Sequence, residues 1–173
     1  MRKQVSSLHN ELVKKVHSLQ SKSRLRKRDG LFVVEGVREI LLALHSGLLF
    51  ETILICDEIA GEEDINCIED LSSKGTLKDR PVEWVSVSKK VYEHLAHRKT
   101  TEGVLGVAIY REPTLEQLNL RTDPLILVAE ASEKPGNIGA LLRTADAANL
   151  DAVIIANPRT DLYNPNIIRS SVG

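Results

Sequence analysis

Apolar residues recur at steps of three and four through Val5, Leu8, Leu12, Val16 and Leu19. The stripe predicts an amphipathic helix with Ser7 as its cap and Lys14 and Lys15 off the buried face. The polar run that follows, from Lys22 through Arg24, Arg26, Lys27 and Arg28 to Gly30, ends this helix and reads as a cationic linker or arm. Beyond it, short apolar runs alternate with segments of helical period. Strands are predicted over residues 31–35, 52–56, 82–87 and 104–110. Helices are predicted over residues 37–46, stopped by Gly47, and over 62–74, ended by Gly75; Ser88 is placed to cap a third that bears Val91 and Leu95. Strands alternating with helices argue for a small α/β sandwich on a largely parallel or mixed sheet.

The alternation breaks over residues 111–123, where Pro113 precedes Thr114, Leu115, Glu116 and Gln117, a capping-box pattern for a short connecting helix. Past Pro124 come a strand over 125–129, a loop over 135–139, a helix carrying Arg143, a strand over 152–155 and a closing run over 164–173. In that run Asn164 is a natural cap and Pro165 suits a first helical position. Two strands do not bury a sheet on both faces unaided, so this half reads as incomplete. The organisation expected is a basic N-terminal helix and arm (1–28), an α/β domain (29–112), a linker (113–123) and part of a second α/β domain (124–173).

Composition changes this picture in one respect. With 42% hydrophobic and 27% charged residues, the 173-residue chain is expected to fold rather than to be disordered throughout. Its net charge of −1 gives no global argument for nucleic acid, yet the charges are segregated. Arg2, Lys3, Lys14, Lys15, Lys22, Arg24, Arg26, Lys27 and Arg28 precede Asp29 with only Glu11 opposing them, and Asp57, Glu58, Glu62, Glu63, Asp64, Glu69 and Asp70 form an acidic middle. The basic run is either a solvated arm or an RNA contact that acts on phosphates, adding affinity and salt dependence without sequence choice. Aromatic residues make up 3% and are scattered, which disfavours a base-stacking platform, and Trp84 on a strand is expected in the core.

Cys56 and Cys67 form no Cys-x-x-Cys pair, and no secretory signal or long apolar run is present, which fits a reduced, cytoplasmic setting. His94 and His97 lie three apart on a predicted helix without a further ligand at metal-binding spacing, so no metal is expected.

Candidate chemistry sits in the second half. Gly136 and Gly139 flank Asn137 and Ile138 at a helix start, allowing either close approach by a ligand phosphate or a tight turn. The spacing matches neither a dinucleotide fingerprint nor a P-loop. Arg143, four residues past Gly139, shares a helical face with that loop and can converge with it on one anion. The residues alone leave open a pairing of Arg143 with Asp146 instead. Arg169 stands one turn beyond Asn164 and Pro165.

The stretch from Asn137 through Gly139 and Arg143 to Ala147 resembles the first motif of the SpoU (TrmH-like) RNA 2′-O-ribose methyltransferases of the SPOUT superfamily. The stretch from Asn164 through Arg169 and Ser170 to Gly173 resembles their second. Residues 21–28, 32–36 and 99–107 are similar to the family's substrate-binding domain, a ribosomal-protein-like α/β RNA-binding fold. The fold implied is that domain followed by the first part of a SPOUT α/β methyltransferase domain, with the knot region absent.

The resemblance implies methyl transfer from S-adenosylmethionine to a ribose 2′-hydroxyl of ribosomal or transfer RNA, and a homodimer for the complete enzyme. Carried over residue by residue, Asn137 shapes the active-site loop and Arg143 acts on the hydroxyl. Asn164, Arg169 and Ser170 fall on second-motif positions near the site, and Glu130 ends the strand that supports it. Lys22, Arg24, Arg26, Lys27 and Arg28 are expected as the RNA contacts. An arginine stays protonated, so Arg143 fits a stabiliser of alkoxide charge and a phosphate clamp better than a base. In-line transfer depends on holding sulfonium and oxygen together.

Asn149 stands where such sequences commonly turn with Gly, a place Asn fills by entering the left-handed region. The family's third motif, which builds the knot and most of the cofactor pocket, would follow Gly173, so the chain is expected to be a fragment inactive by itself. The alternatives are a non-catalytic RNA-binding module and a nucleotide-binding or scaffold protein using the turn at Gly136 and Gly139.

Overall fold

The computed structural model describes residues 2–74, 81–97, 102–111 and 114–172. The expectations placed on Gly75, Lys99, Thr100, Thr101, Pro113 and Gly173 fall outside these residues. Two compact units are formed, Met1–Tyr110 and Arg111–Val172.

The first unit is built on strands β1 (Lys3–Val5), β2 (Leu31–Glu35), β3 (Phe50–Ile55), β4 (Glu83–Val87) and β5 (Val104–Ile109), in the order β1-β4-β3-β5-β2. β1, β4 and β3 run parallel, whereas β5 is antiparallel to both β3 and β2. The helices are α1 (Glu11–Ser21), α2 (Ser23–Asp29), α3 (Val37–His45), α4 (Glu62–Lys74) and α5 (Lys89–Leu95). Alternation along the strands separates two apolar layers. Leu31, Val33, Leu54, Val85, Leu105 and Val107 share a core with Val13, Val16 and Leu19 of α1 and Val91, Tyr92 and Leu95 of α5. Phe32, Val34, Ile53 and Ile55 take the opposite side, where α3 packs on β2 and β5 with α4 beside it. The result is the mixed-sheet α/β sandwich that the alternating pattern predicts.

The beginning of the chain departs from its periodic reading. Val5 is 3% exposed and lies in β1, in register with Val87 of β4. The helix begins at Glu11, capped by Asn10, whose Oδ1 accepts from the Leu12 amide at 2.9 Å. Ser7 stands in the preceding turn, its hydroxyl accepting from the His9 amide at 3.2 Å. A β-branched residue three places before Leu8 satisfies a helical stripe, but pairing along β4 gives its backbone a sheet partner, and the sheet prevails.

The cationic run is likewise no arm. It forms α2, which Gly30 closes in the left-handed region at φ 65, with the Gly30 amide donating to the Arg26 carbonyl. Arg26, expected among the RNA contacts, is 2% exposed, and its Nη1 donates to the Leu19 and Gln20 carbonyls at 2.6 and 3.2 Å. It braces the unit from inside.

Glu102 and Gly103 also have structural duties. Glu102 Oε2 accepts from the Val37 amide at 2.6 Å, capping α3, for which Gly36 has no side chain to offer. Gly103, at φ 77, runs so close to the β3–α4 turn that a Cβ there would lie 2.5 Å from the Ala60 amide nitrogen. The Gly103 amide donates to the Tyr92 hydroxyl at 3.1 Å, and burial, with Glu35 nearby, pushes that hydroxyl's pKa up to about 12.

The second unit holds a 3-10 turn (Leu115–Gln117), parallel strands β6 (Ile126–Glu130) and β7 (Ala152–Ala156), and helices α6 (Pro135–Ala147) and α7 (Pro165–Ser171). Thr114 and Gln117 form the capping box read from sequence. Of the linker expected over 113–123, the described residues 114–123 group with this unit. Arg121 grips Asp151 through Nε at 2.6 Å and Nη2 at 2.9 Å, and Nη2 also donates to the Asn149 carbonyl at 2.8 Å. Asn149 turns α6 into β7 at φ 53, in the left-handed region expected of it. Neither strand contains a buried residue, and Val128 is 64% exposed. No helix among the described residues is long and apolar enough to cross a membrane.

Candidate functional site

The segment over 135–139 is the first turn of α6 rather than a loop. Pro135 occupies its opening position, where its fixed φ favours helix and its missing N–H is no loss, and the Asn137 and Ile138 amides both donate to the Lys134 carbonyl. Asn137 is exposed on this turn. Gly136 has open space where a Cβ would be, but Gly139 is buried, and a Cβ there would lie 2.0 Å from Ser170 Oγ. Gly139 thus lets α7 rest on α6, so its close approach is to another helix.

Ser170 is the meeting point of the two helices. Its hydroxyl lies 3.1 Å from the Ile167 carbonyl and 3.3 Å from the Pro135 carbonyl, and its own carbonyl accepts from Arg143 Nη1 at 2.7 Å. Among the described residues no ion pair joins Arg143 to Asp146. Arg143 is exposed, and one of its five N–H groups is engaged; the others remain available to a carboxylate, phosphate or alkoxide.

The other second-motif residues mostly organise α7. Asn164 Oδ1 accepts from the Asn166 amide at 2.9 Å, the capping role its sequence position foretold, and Arg169 Nη2 donates back along the helix to Asn166 Oδ1 at 3.2 Å. Glu130 ends β6, and its Oε1 accepts from Asn157 Nδ2 at 3.3 Å. Asn157, which holds Glu130, was not singled out from the sequence. Its signal was an Asn directly after the apolar β7 run, and it takes φ 47 there while Ala131, after β6, takes φ 50. Both strands turn sharply at their carboxyl ends, the edge at which parallel α/β sheets receive ligands.

In the first unit Lys22, Arg24, Lys27 and Arg28 are exposed. Arg24, Lys27 and Arg28 recur at helical spacing and share one face of α2. Arg28 grips neighbouring Asp29 through Nε at 2.6 Å and Nη2 at 3.2 Å. Trp84, expected in the core, is half-buried beneath the Arg2 guanidinium, which lies 5.5 Å from its ring centre. Arg2, Lys3, Glu69, Glu83 and Trp84 line an open cavity of about 550 Å³ there. His94 stacks on His17 at 5.4 Å, with both rings exposed.

Residues 10–106 match the MRM3-like substrate binding domain, and residues 124–173 match the SpoU rRNA methylase family. Over residues 10–106 the chain belongs to the MRM3-like substrate binding domain family, and over residues 124–173 to the SpoU rRNA methylase family. It is 28% identical over 171 residues to the 23S rRNA (guanosine(2553)-2'-O)-methyltransferase RlmP of Bacillus subtilis, covering 99% of this chain and 61% of that protein. A crystal structure of an RNA 2'-O ribose methyltransferase superposes with a TM-score of 0.78 at 34% identity, over 98% of this chain and 61% of the other. The SpoU methyltransferase AviRb of Streptomyces viridochromogenes, in complex with AdoMet, gives 0.78 at 26% identity, over 95% and 60%. The chain spans about six-tenths of the length of these relatives. Gly139, Arg143 and Ser170, which meet here, lie in the two stretches that carry the family likeness, 137–147 and 164–172.

Proposed function

We propose that the whole protein methylates a ribose 2′-hydroxyl of ribosomal RNA with S-adenosylmethionine as donor, the first unit holding RNA and the second presenting Arg143 to the reacting ribose. The observation that carries this reading is the Arg143–Ser170 contact: it fixes one edge of the guanidinium and leaves the rest exposed. A cation held in this way lowers the cost of negative charge on the attacking oxygen and can clamp a flanking phosphate. Asn137, exposed on the same turn as Gly139, orients the ribose in this reading. When bound, the donor would supply an electrophilic methyl group to that oxygen, and the hydroxyl proton would leave to solvent or to a base.

For the donor itself the fit is partial. At the carboxyl edge of β6 and β7 the described residues offer the Glu130 carboxylate and the Asn157 amide. In this reading residues 1–173 do not turn over by themselves, and the complete enzyme is a homodimer. The names of the relatives favour ribosomal over transfer RNA as substrate. The test incubates the full-length protein with methyl-labelled S-adenosylmethionine and ribosomal RNA, then digests the RNA to nucleosides. Label in a 2′-O-methyl nucleoside supports the reading, and label confined to bases, or absent, contradicts it.

A further inference from the structure

Of the five cations in the run over 22–28, Arg26 alone is withdrawn from solvent. The carbonyls it binds, those of Leu19 and Gln20, belong to the last turn of α1, where in-helix amide donors run out. The Ser18 carbonyl in the same turn is met by the Lys22 amide at 2.9 Å. A protonated guanidinium also suits the negative end of the helix. Gln20 carries the brace deeper, because its Nε2 donates to the Leu95 carbonyl at the end of α5, at 2.7 Å. With seven residues, α2 is too short to hold helical form unaided; this brace, the Gly30 stop and the packing of Leu25 against the core order it. Arg24 and Lys27 are exposed on it and make no hydrogen bond among the described residues.

We propose that Arg26 is the positioning residue of an RNA-phosphate-binding face formed by Arg24 and Lys27: it touches no RNA but fixes the helix on which they stand. The inference rests on the RNA-binding reading given above. Affinity then comes from two cations held in register before RNA arrives, which removes part of the ordering cost that a flexible arm would meet on binding. Arginine suits 26 because Nη1 directs its two N–H groups, fixed in the guanidinium plane, at adjacent carbonyls, an orientation that the freely rotating ammonium of a lysine does not hold.

The test uses residues 1–173 and a mixed-sequence RNA hairpin as probe, with affinity followed over a range of KCl concentration. Arg24→Gln with Lys27→Gln lowers the slope of log affinity against log salt by about 1.5, given roughly 0.7 to 0.9 per lost phosphate contact. Arg26→Lys, which keeps the charge, lowers the slope by at least half as much, and adding it to the double variant causes no further loss. Hydrogen exchange on the unaltered chain shows α2 amides already protected without RNA. Arg26→Lys with full slope, a further loss on top of the double variant, or α2 amides protected only when RNA is added would each overturn the positioning role alone. Should the unaltered chain fail to bind the hairpin, the RNA reading falls and takes this inference with it.

Discussion

Gly139 and Ser170 face each other so closely that a Cβ at 139 would sit 2.0 Å from the serine oxygen and 2.7 Å from the serine carbonyl carbon. The contact is between helices separated by a strand, and it draws Arg143 within 2.7 Å of the Ser170 carbonyl. Gly139→Ala therefore pushes α7 off α6. The expected cost is about 1 to 3 kcal/mol in the second unit, as for other overpacked sites. Denaturant unfolding measures it, and hydrogen exchange should report the loss in α7 first. Because the serine backbone lies in the way, Ser170→Gly restores stability only in part.

Asn164 caps α7 through its side chain. Asn164→Ala should cost about 1 kcal/mol, and Asn164→Asp or Asn164→Ser should recover most of it. Thermal unfolding checks the ranking. Equal losses in all three variants would mean that the amide does something besides capping.

The Arg121–Asp151 clasp makes the second unit sensitive to acid. The Arg121 hydrogen bonds, with the Leu125 amide in support, hold the Asp151 carboxyl well below the usual carboxylate range. A depressed folded pKa contributes stability that is complete above the unfolded value of about 3.9 and is lost as pH falls toward the folded one. Asp151→Asn should lower stability at neutral pH and flatten the fall below about pH 4, so that the two unfolding curves converge in strong acid.

At the alkaline end the first unit carries the opposite linkage. Tyr92, with its pKa pushed up to about 12, is held neutral by burial. Its contribution is complete below the unfolded value of about 10 and declines as pH rises from there toward the folded value. Tyr92→Phe removes that decline while leaving the Gly103 amide without its acceptor, a loss of about 1 to 3 kcal/mol at neutral pH. Stability measured across the alkaline range separates the two effects.

How far the sequence could be read depended on whether a residue's partner was local. Ser88 and Asn164 were legible as caps because the groups they bind lie two or three residues away. The span of α4 followed from its helical period and acidic first turn. Val5 fitted both a helical stripe and a strand edge, and only the distant β4 decides between them. Arg26 looked like its solvated neighbours because its acceptors lie six and seven residues back, at the end of another helix. At Gly139 the need for close approach was readable, but the object approached, 31 positions on, was not. The Arg143–Ser170 contact, across 27 positions, had no local signal at all.

The central claim is that Arg143 stabilises charge on the ribose oxygen. The measurement that tests it most directly is single-turnover methylation by the full-length Arg143→Ala protein beside its RNA affinity. Turnover should fall by about a hundredfold or more, the scale seen when a donor to developing negative charge is removed, with affinity changed by no more than about threefold. Turnover close to that of the unaltered protein, or a fall matched by an equal loss of RNA binding, would contradict the account.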